Sequence, residues 1–158
     1  MRNNYTGTQS VAAAYGMAEL PLLAKLKFIG GARLEQTMIE LTSKDPNLEQ
    51  GLLDNLDVLP SANLIYALKS KSPTNVMNLR ASYARTLARP VFRELAPYAS
   101  FDFVGDMVLI GNPQLERTLI DNFDLRWEWF PSTAELVSVS AFYKDFSNPI
   151  ELVINPMA

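Results

Sequence analysis

The stretch NVMNLRASYARTL, residues 75–87, alternates between apolar and polar side chains. The odd positions carry an apolar set, namely Met77, Leu79, Ala81 and Tyr83. The even positions are mostly polar, namely Asn78, Arg80, Ser82, Ala84 and Thr86. Because successive side chains of a β-strand point to opposite faces, this pattern predicts a strand between an apolar and a wet environment.

Five more segments show the same alternation, and together they predict six strands. We expect these strands at about residues 8–19, 24–41, 58–69, 75–89, 118–130 and 135–147. Each has roughly ten residues or more, whereas strands of soluble sheets usually have about five or six. The predicted fold class is all-β, an antiparallel up-and-down meander of about six long strands.

Short and long connections alternate strictly between these predicted strands. The short ones are expected at residues 20–23, 70–74 and 131–134, and the long ones at 42–57 and 90–117. In a meander, all short turns then lie at one end of the sheet and all long loops at the other. This asymmetry is typical of large transmembrane β-barrels, which have short periplasmic turns and longer extracellular loops.

The two faces of the predicted sheet differ in chemistry. The apolar face is expected to carry the aromatic residues Tyr15, Tyr66, Tyr83, Trp127, Trp129 and Tyr143. Tyr and Trp favour membrane–water boundaries, so these residues would form aromatic girdles. The other face carries mid-strand charges, which are tolerated beside a water-filled lumen. Its lumen-facing candidates are Arg33, Glu35, Arg80, Asp124, Arg126 and Glu128.

Two interpretations of those charges stay open. They could contact a molecule inside the lumen, such as a passing substrate, or they could be a polar lining paired across strands. Residues of the 90–117 connection could likewise close over a ligand, or be solvated and packed on one another. The candidates for ligand contact in this loop are Arg93, Glu94, Phe101, Asp102 and Phe103.

Composition excludes several functions. The chain has 158 residues with 14 basic and 17 acidic side chains, so it lacks the positive field that nucleic-acid binding requires. It has neither Cys nor His, which removes thiolate metal sites, the commonest metal ligand and the commonest general base. We therefore expect no enzyme activity, no metal, no cofactor and no nucleic-acid partner. Alternation alone also fits a soluble all-β binding or interaction module, which remains the alternative.

Several segments resemble the barrel of TonB-dependent outer-membrane receptors, and they occur in the family's order. They are LRASYARTLARPVFRELAPY (79–98), GNPQL (111–115), DNFDL (121–125), FYKDFSNPIE (142–151), GGARLE (30–35) and LPS (59–61). The chain departs from the family pattern at residues 116–117, where a proline usually follows the leucine, and at Leu34, which replaces a tyrosine.

This resemblance implies an outer-membrane active-transport receptor for a scarce nutrient, such as an iron chelate, a vitamin or an oligosaccharide. Its partners would be outer-membrane lipid, its own plug domain, the TonB complex that supplies energy, and the small nutrient ligand. Barrels of this family have about 22 strands. We therefore expect residues 1–158 to be a barrel fragment, or the product of a truncated gene, without a plug domain and signal peptide.

Overall fold

A computed structural model describes residues 5–43, 50–69, 75–102 and 107–154. In these ranges the chain forms eight strands and one short helix. They are β1 (Tyr5–Leu23), β2 (Leu26–Ser43), β3 (Gly51–Lys69), β4 (Val76–Ala88), α1 (Phe92–Leu95), β5 (Ala99–Asp102), β6 (Met107–Ile110), β7 (Thr118–Phe130) and β8 (Val137–Ser147).

Six strands form one antiparallel sheet in the order β1-β2-β3-β4-β7-β8, and β5 pairs with β6 in a separate hairpin. The predicted all-β meander of six long strands is confirmed, and the sheet is open. Every strand of the sheet is joined to its neighbour in sequence order except β4 and β7, between which α1 and the hairpin lie. None of the helices in the described ranges is long and apolar enough to cross a bilayer.

The connections differ from the prediction in two places. The long connection expected at residues 42–57 is wrong in its second part, because β3 begins at Gly51 and pairs with β2 from there. The first turn lies at residues 24–25 instead of 20–23, since β1 continues to Leu23. We call the end with the β1–β2, β3–β4 and β7–β8 connections the turn end, and the opposite end the loop end.

The strand register assigns each side chain to a face. Directly opposite residues of an antiparallel pair lie on the same face. The charged face therefore comprises the odd residues of β1, β2 and β3 and the even residues of β4, β7 and β8. The predicted orientation of β1 is wrong, because Tyr15 lies opposite Arg33 and Ala13 lies opposite Glu35. Tyr15 therefore belongs to the charged face and not to an aromatic girdle.

Aromatic residues form two groups on the apolar face. Towards the loop end, the ring centroids of Tyr83 and Phe123 are 5.1 Å apart, and those of Phe123 and Tyr143 are 6.3 Å apart. Towards the turn end, the ring centroids of Trp127 and Trp129 are 6.4 Å apart, and the Trp129 indole donates a 2.8 Å hydrogen bond to the Asn75 side chain. Indole and phenol groups suit a boundary that is apolar on one side and wet on the other.

The apolar band between these boundaries has the height of a bilayer core. On β7 it is bounded by Asp121 and by Pro131 of the following turn. At about 3.3 Å per residue the chain covers about 33 Å between them, and the tilt of about 40° that is typical of barrel strands would convert this length to a height of about 25 Å. Leu125 and Val139 in this band are 50% and 64% exposed, and no second layer packs on this face in the described part of the chain. The soluble alternative requires such a layer.

Candidate functional site

The connection between β4 and β7 folds back over the charged face at the loop end. Leu95 and Ala96, in and just after α1, are buried against three apolar side chains that β2 and β3 place on this face, Ile39, Leu41 and Leu53. Partly buried residues pack around this cluster, namely Tyr5, Phe92, Tyr98 and Leu115. The charged face thus carries an apolar patch beneath α1. We call this group of nine residues the covered cluster.

A glycine joins the two halves of the connection. A Cβ atom at Gly111 would lie 2.6 Å from the carbonyl oxygen of Glu94 and 2.7 Å from that of Arg93, so only glycine fits beside the α1 turn. The backbone N–H of Asn112 donates a 2.6 Å hydrogen bond to the Glu94 carbonyl. Two of the segments that carry the family resemblance, 79–98 and 111–115, therefore meet in space.

Arg117, at the end of the connection, binds β3. Its Nε atom is 2.5 Å from Oδ1 of Asp57, and its Nη1 atom is 2.7 Å from Oδ1 of Asn55. Asp57 is only 3% exposed, and its Oδ2 atom has no hydrogen-bond partner among the described residues. A buried carboxylate is stable when an arginine fork neutralises it, so this contact is required as long as Asp57 is covered.

Arg89, at the start of the connection, binds β2. It donates from Nε to Oγ1 of Thr37 over 3.1 Å and forms an ion pair with Glu35. Glu35 also accepts a 2.7 Å hydrogen bond from Nε of Arg33. Thr37 and Glu35 are buried. Arg89 is therefore paired and largely covered, with a side chain that is 21% exposed. We call the Arg89 and Arg117 contacts the two arginine clasps.

The predicted lumen-facing residues all lie on the charged face. Nε of Arg80 on β4 is 2.8 Å from Oε2 of Glu128 on β7, and Nε of Arg126 is 2.9 Å from Oε1 of the same carboxylate. Asp124 lies opposite Ser82. Arg33 and Glu35 belong to the first clasp. Such pairing fits a polar lining joined across strands.

The loop candidates occupy different environments. The Glu94 carboxylate accepts a 2.8 Å hydrogen bond from the backbone N–H of Val91 and so completes the first turn of α1. Arg93 donates from Nη2 to Oγ of Ser100 over 3.3 Å. Phe101 is 49% exposed on the hairpin. Asp102 ends β5, and Phe103 lies outside the described residues. Ligand contact by these residues stays a prediction.

Sequence analysis missed the acceptors of the Arg117 clasp. Asn55 and Asp57 fall in the segment that was expected to be a loop, so its alternation was not assigned to faces. The signal was present, because Leu53, Asn55 and Asp57 occupy alternate positions that continue β3 on the charged face. Arg117 itself lies where the chain departs from the family pattern.

The two-faced sheet, with bilayer-height apolar exposure on one side and ion pairs on the other, defines a wall segment of a transmembrane β-barrel. The family model for the β-barrel of TonB-dependent receptor-like proteins matches residues 1–157, so the chain belongs to that family. Its members are outer-membrane transporters. Searches of curated proteins and of solved structures gave no match. Among the described residues, no group of three or more His, Cys, Asp or Glu side chains could hold a metal ion.

Proposed function

We propose that this chain forms part of the wall of a receptor that takes up a scarce nutrient with energy supplied by TonB. The observation that carries the proposal is the division of one sheet into a lipid-compatible face and an ion-paired face. The apolar face meets the lipid of the outer membrane. The charged face lines the lumen, where it meets water, the plug domain and the passing ligand.

The contribution of the barrel to uptake is physical and involves no covalent chemistry. Paired strands satisfy their backbone hydrogen bonds within the membrane, which an open chain in lipid cannot do. Pairs such as Arg80 with Glu128 keep the lumen wall polar without leaving single charges. The ligand is an iron chelate, a vitamin or an oligosaccharide, and the exposed part of the loop around Arg93 and Phe101 is the region proposed to meet it first.

Uptake by cells tests this function. The gene for the receptor that contains this chain is deleted and then restored, in strains with and without TonB. Radiolabelled ferric siderophore, cobalamin and maltooligosaccharide are supplied below the concentrations at which porin diffusion suffices. We expect one ligand class to enter only when both the receptor and TonB are present.

Two results would contradict the proposal. If cells take up the three ligand classes equally well with and without the receptor, the proposed transport role is wrong. If the receptor is recovered from the soluble fraction without detergent, it is not part of a membrane barrel, and the soluble binding module is favoured instead.

A further inference from the structure

We propose that residues 89–102 and 107–117, which we call the lining, are a fixed part of the receptor's mouth, and not a lid that opens for each ligand. The inference rests on the proposed function, because it takes the charged face as the lumen wall. The connection leaves β4 and returns to the adjacent β7, yet its body lies on β1, β2 and β3. A connection that only joined two adjacent strands would need no such detour.

The lining is fastened at its start, middle and end. Arg89 binds β2 at the start, Leu95 is buried between β2 and β3 in the middle, and Arg117 binds β3 at the end. Lids open about hinges at segments with few buried contacts. Here both places where a hinge would lie are occupied by an arginine on a buried carboxylate. Opening would break both contacts, and Asp57 would lose the arginine that neutralises it, whereas Glu35 would keep its pair with Arg33 on the same strand.

The reach of the lining extends to the first strand. The Tyr98 and Tyr5 ring centroids are 5.3 Å apart, and the Phe92 ring lies so close to Gly7 that a Cβ atom there would be 2.8 Å from it. From β4 to β1 the lining crosses three strand spacings, about 14 Å. A fixed structure over this width of the wall occupies part of the mouth permanently and therefore limits the size of ligand that enters.

The hairpin is the part of the lining that would face the ligand. Phe101 and Val108 are paired across it, as are Ala99 and Ile110, so these four side chains share one face. Val108 and Ile110 are 59% and 71% exposed. Ser100 lies on the other face, where it accepts a 3.3 Å hydrogen bond from Arg93 of α1, so this contact joins that face of the hairpin to α1.

A disulfide can lock the lining in place. A Cβ atom at position 51 would lie 3.6 Å from Cβ of Leu95, within the range of natural disulfides. The chain has no cysteine of its own. The G51C/L95C variant of the complete receptor is assayed for TonB-dependent uptake of the three labelled ligands above, after oxidation and after reduction. The two single variants are the controls.

We expect oxidised and reduced G51C/L95C to take up ligand at rates within a factor of two. Uptake that is lost on oxidation and regained on reduction, in the double variant alone, would show a moving lid and overturn the inference. If neither form takes up any of the labelled ligands while the unmodified receptor also fails, the proposed function is wrong, and the exchange measurement below still decides the inference.

Hydrogen exchange tests the lining without any ligand. The backbone amides of Leu95 and Ala96 donate to the carbonyls of Val91 and Phe92. In the complete receptor in phospholipid vesicles, we expect these amides to exchange within tenfold of the amides in the centre of β4. Exchange more than a hundredfold faster than in β4 would mean that the loop opens independently, and the inference would be overturned.

Discussion

Replacement of Arg117 by alanine measures how strongly the loop is held to the sheet. The change removes two contacts, of 2.5 Å to Asp57 and 2.7 Å to Asn55, and leaves a carboxylate that is 3% exposed without its counter-charge. Removing one partner of a buried ion pair costs about 3–5 kcal/mol. Because the Arg117 side chain itself is 24% exposed, we expect a smaller cost than this range, about 2–3 kcal/mol, for the opening of the loop.

Hydrogen exchange of residues 92–102 and 107–112 in the complete receptor is the assay. A change of about 1.4 kcal/mol alters an equilibrium tenfold, so Arg117→Ala should accelerate exchange in the loop by about 30- to 140-fold. Arg117→Lys keeps the charge but loses the two-pronged contact, and we expect a smaller acceleration of about fivefold. Asp57→Asn combined with Arg117→Ala should regain part of the protection, because the uncompensated carboxylate is gone.

A second ion pair of the charged face is the matched control. Nζ of Lys27 is 2.6 Å from Oε1 of Glu19, but the two side chains are 48% and 54% exposed and lie near the turn end. Lys27→Ala should therefore leave exchange in the loop unchanged, although the broken contact is as short. The reasoning fails if Arg117→Ala has no effect on the loop, or if Lys27→Ala has an equal one.

Three further changes give distinct outcomes. Gly111→Ala should speed exchange in the loop at least tenfold because its Cβ meets backbone carbonyls, whereas Gly16→Ala, which has nothing within 4 Å, should not. Ala81→Arg should lower the free energy of unfolding in lipid vesicles, measured by urea titration, by about 2–4 kcal/mol. Ser82→Arg on the other face should lower it far less, and equal losses would contradict the face assignment. Burial, and after it a hydrogen bond with Tyr5, raises the pKa of the Tyr98 phenol above its usual value of 10.0. The stabilisation of the loop by the neutral phenol is therefore complete below pH 10 and is lost as the pH rises through the folded-state pKa. Exchange corrected for intrinsic rates should show this loss, and Tyr98→Phe should abolish it.

The number and order of strands in the large sheet, and most of their face assignment, could be predicted from sequence, whereas the hairpin of β5 and β6 was missed. Alternation is a local signal, and a one-residue error in it would move every side chain of a strand to the other face. That error occurred in β1. One face of this strand carries the small residues Ala12, Ala14, Gly16 and Ala18, and the other face is apolar, so neither face is marked as the polar one. Only pairing with β2, which places Ala13 opposite Glu35, resolves it.

The position of the loop could not be predicted, because its contacts are far apart in sequence. Arg117 meets Asp57 across a separation of 60 residues, and Arg89 meets Thr37 across 52. Nothing local distinguishes an arginine that is solvated at a rim from one that crosses to another strand. Local chemistry does explain α1, where Glu94 completes the first turn, although a single turn of helix is too short for periodicity to predict.

The arginine clasps also have a mechanical consequence for the rim. A β-sheet resists stretching along its strands and across its hydrogen bonds, but it bends more easily about an axis parallel to the strands. The lining is covalently joined to β4 and β7 and bound to β2 and β3 through Arg89 and Arg117, and so acts as a brace across the strands. The curvature of the barrel is therefore stiffened at the loop end alone. Deformation of the sheet should therefore be larger near the turn end, where the strands have no such brace in the described part of the chain.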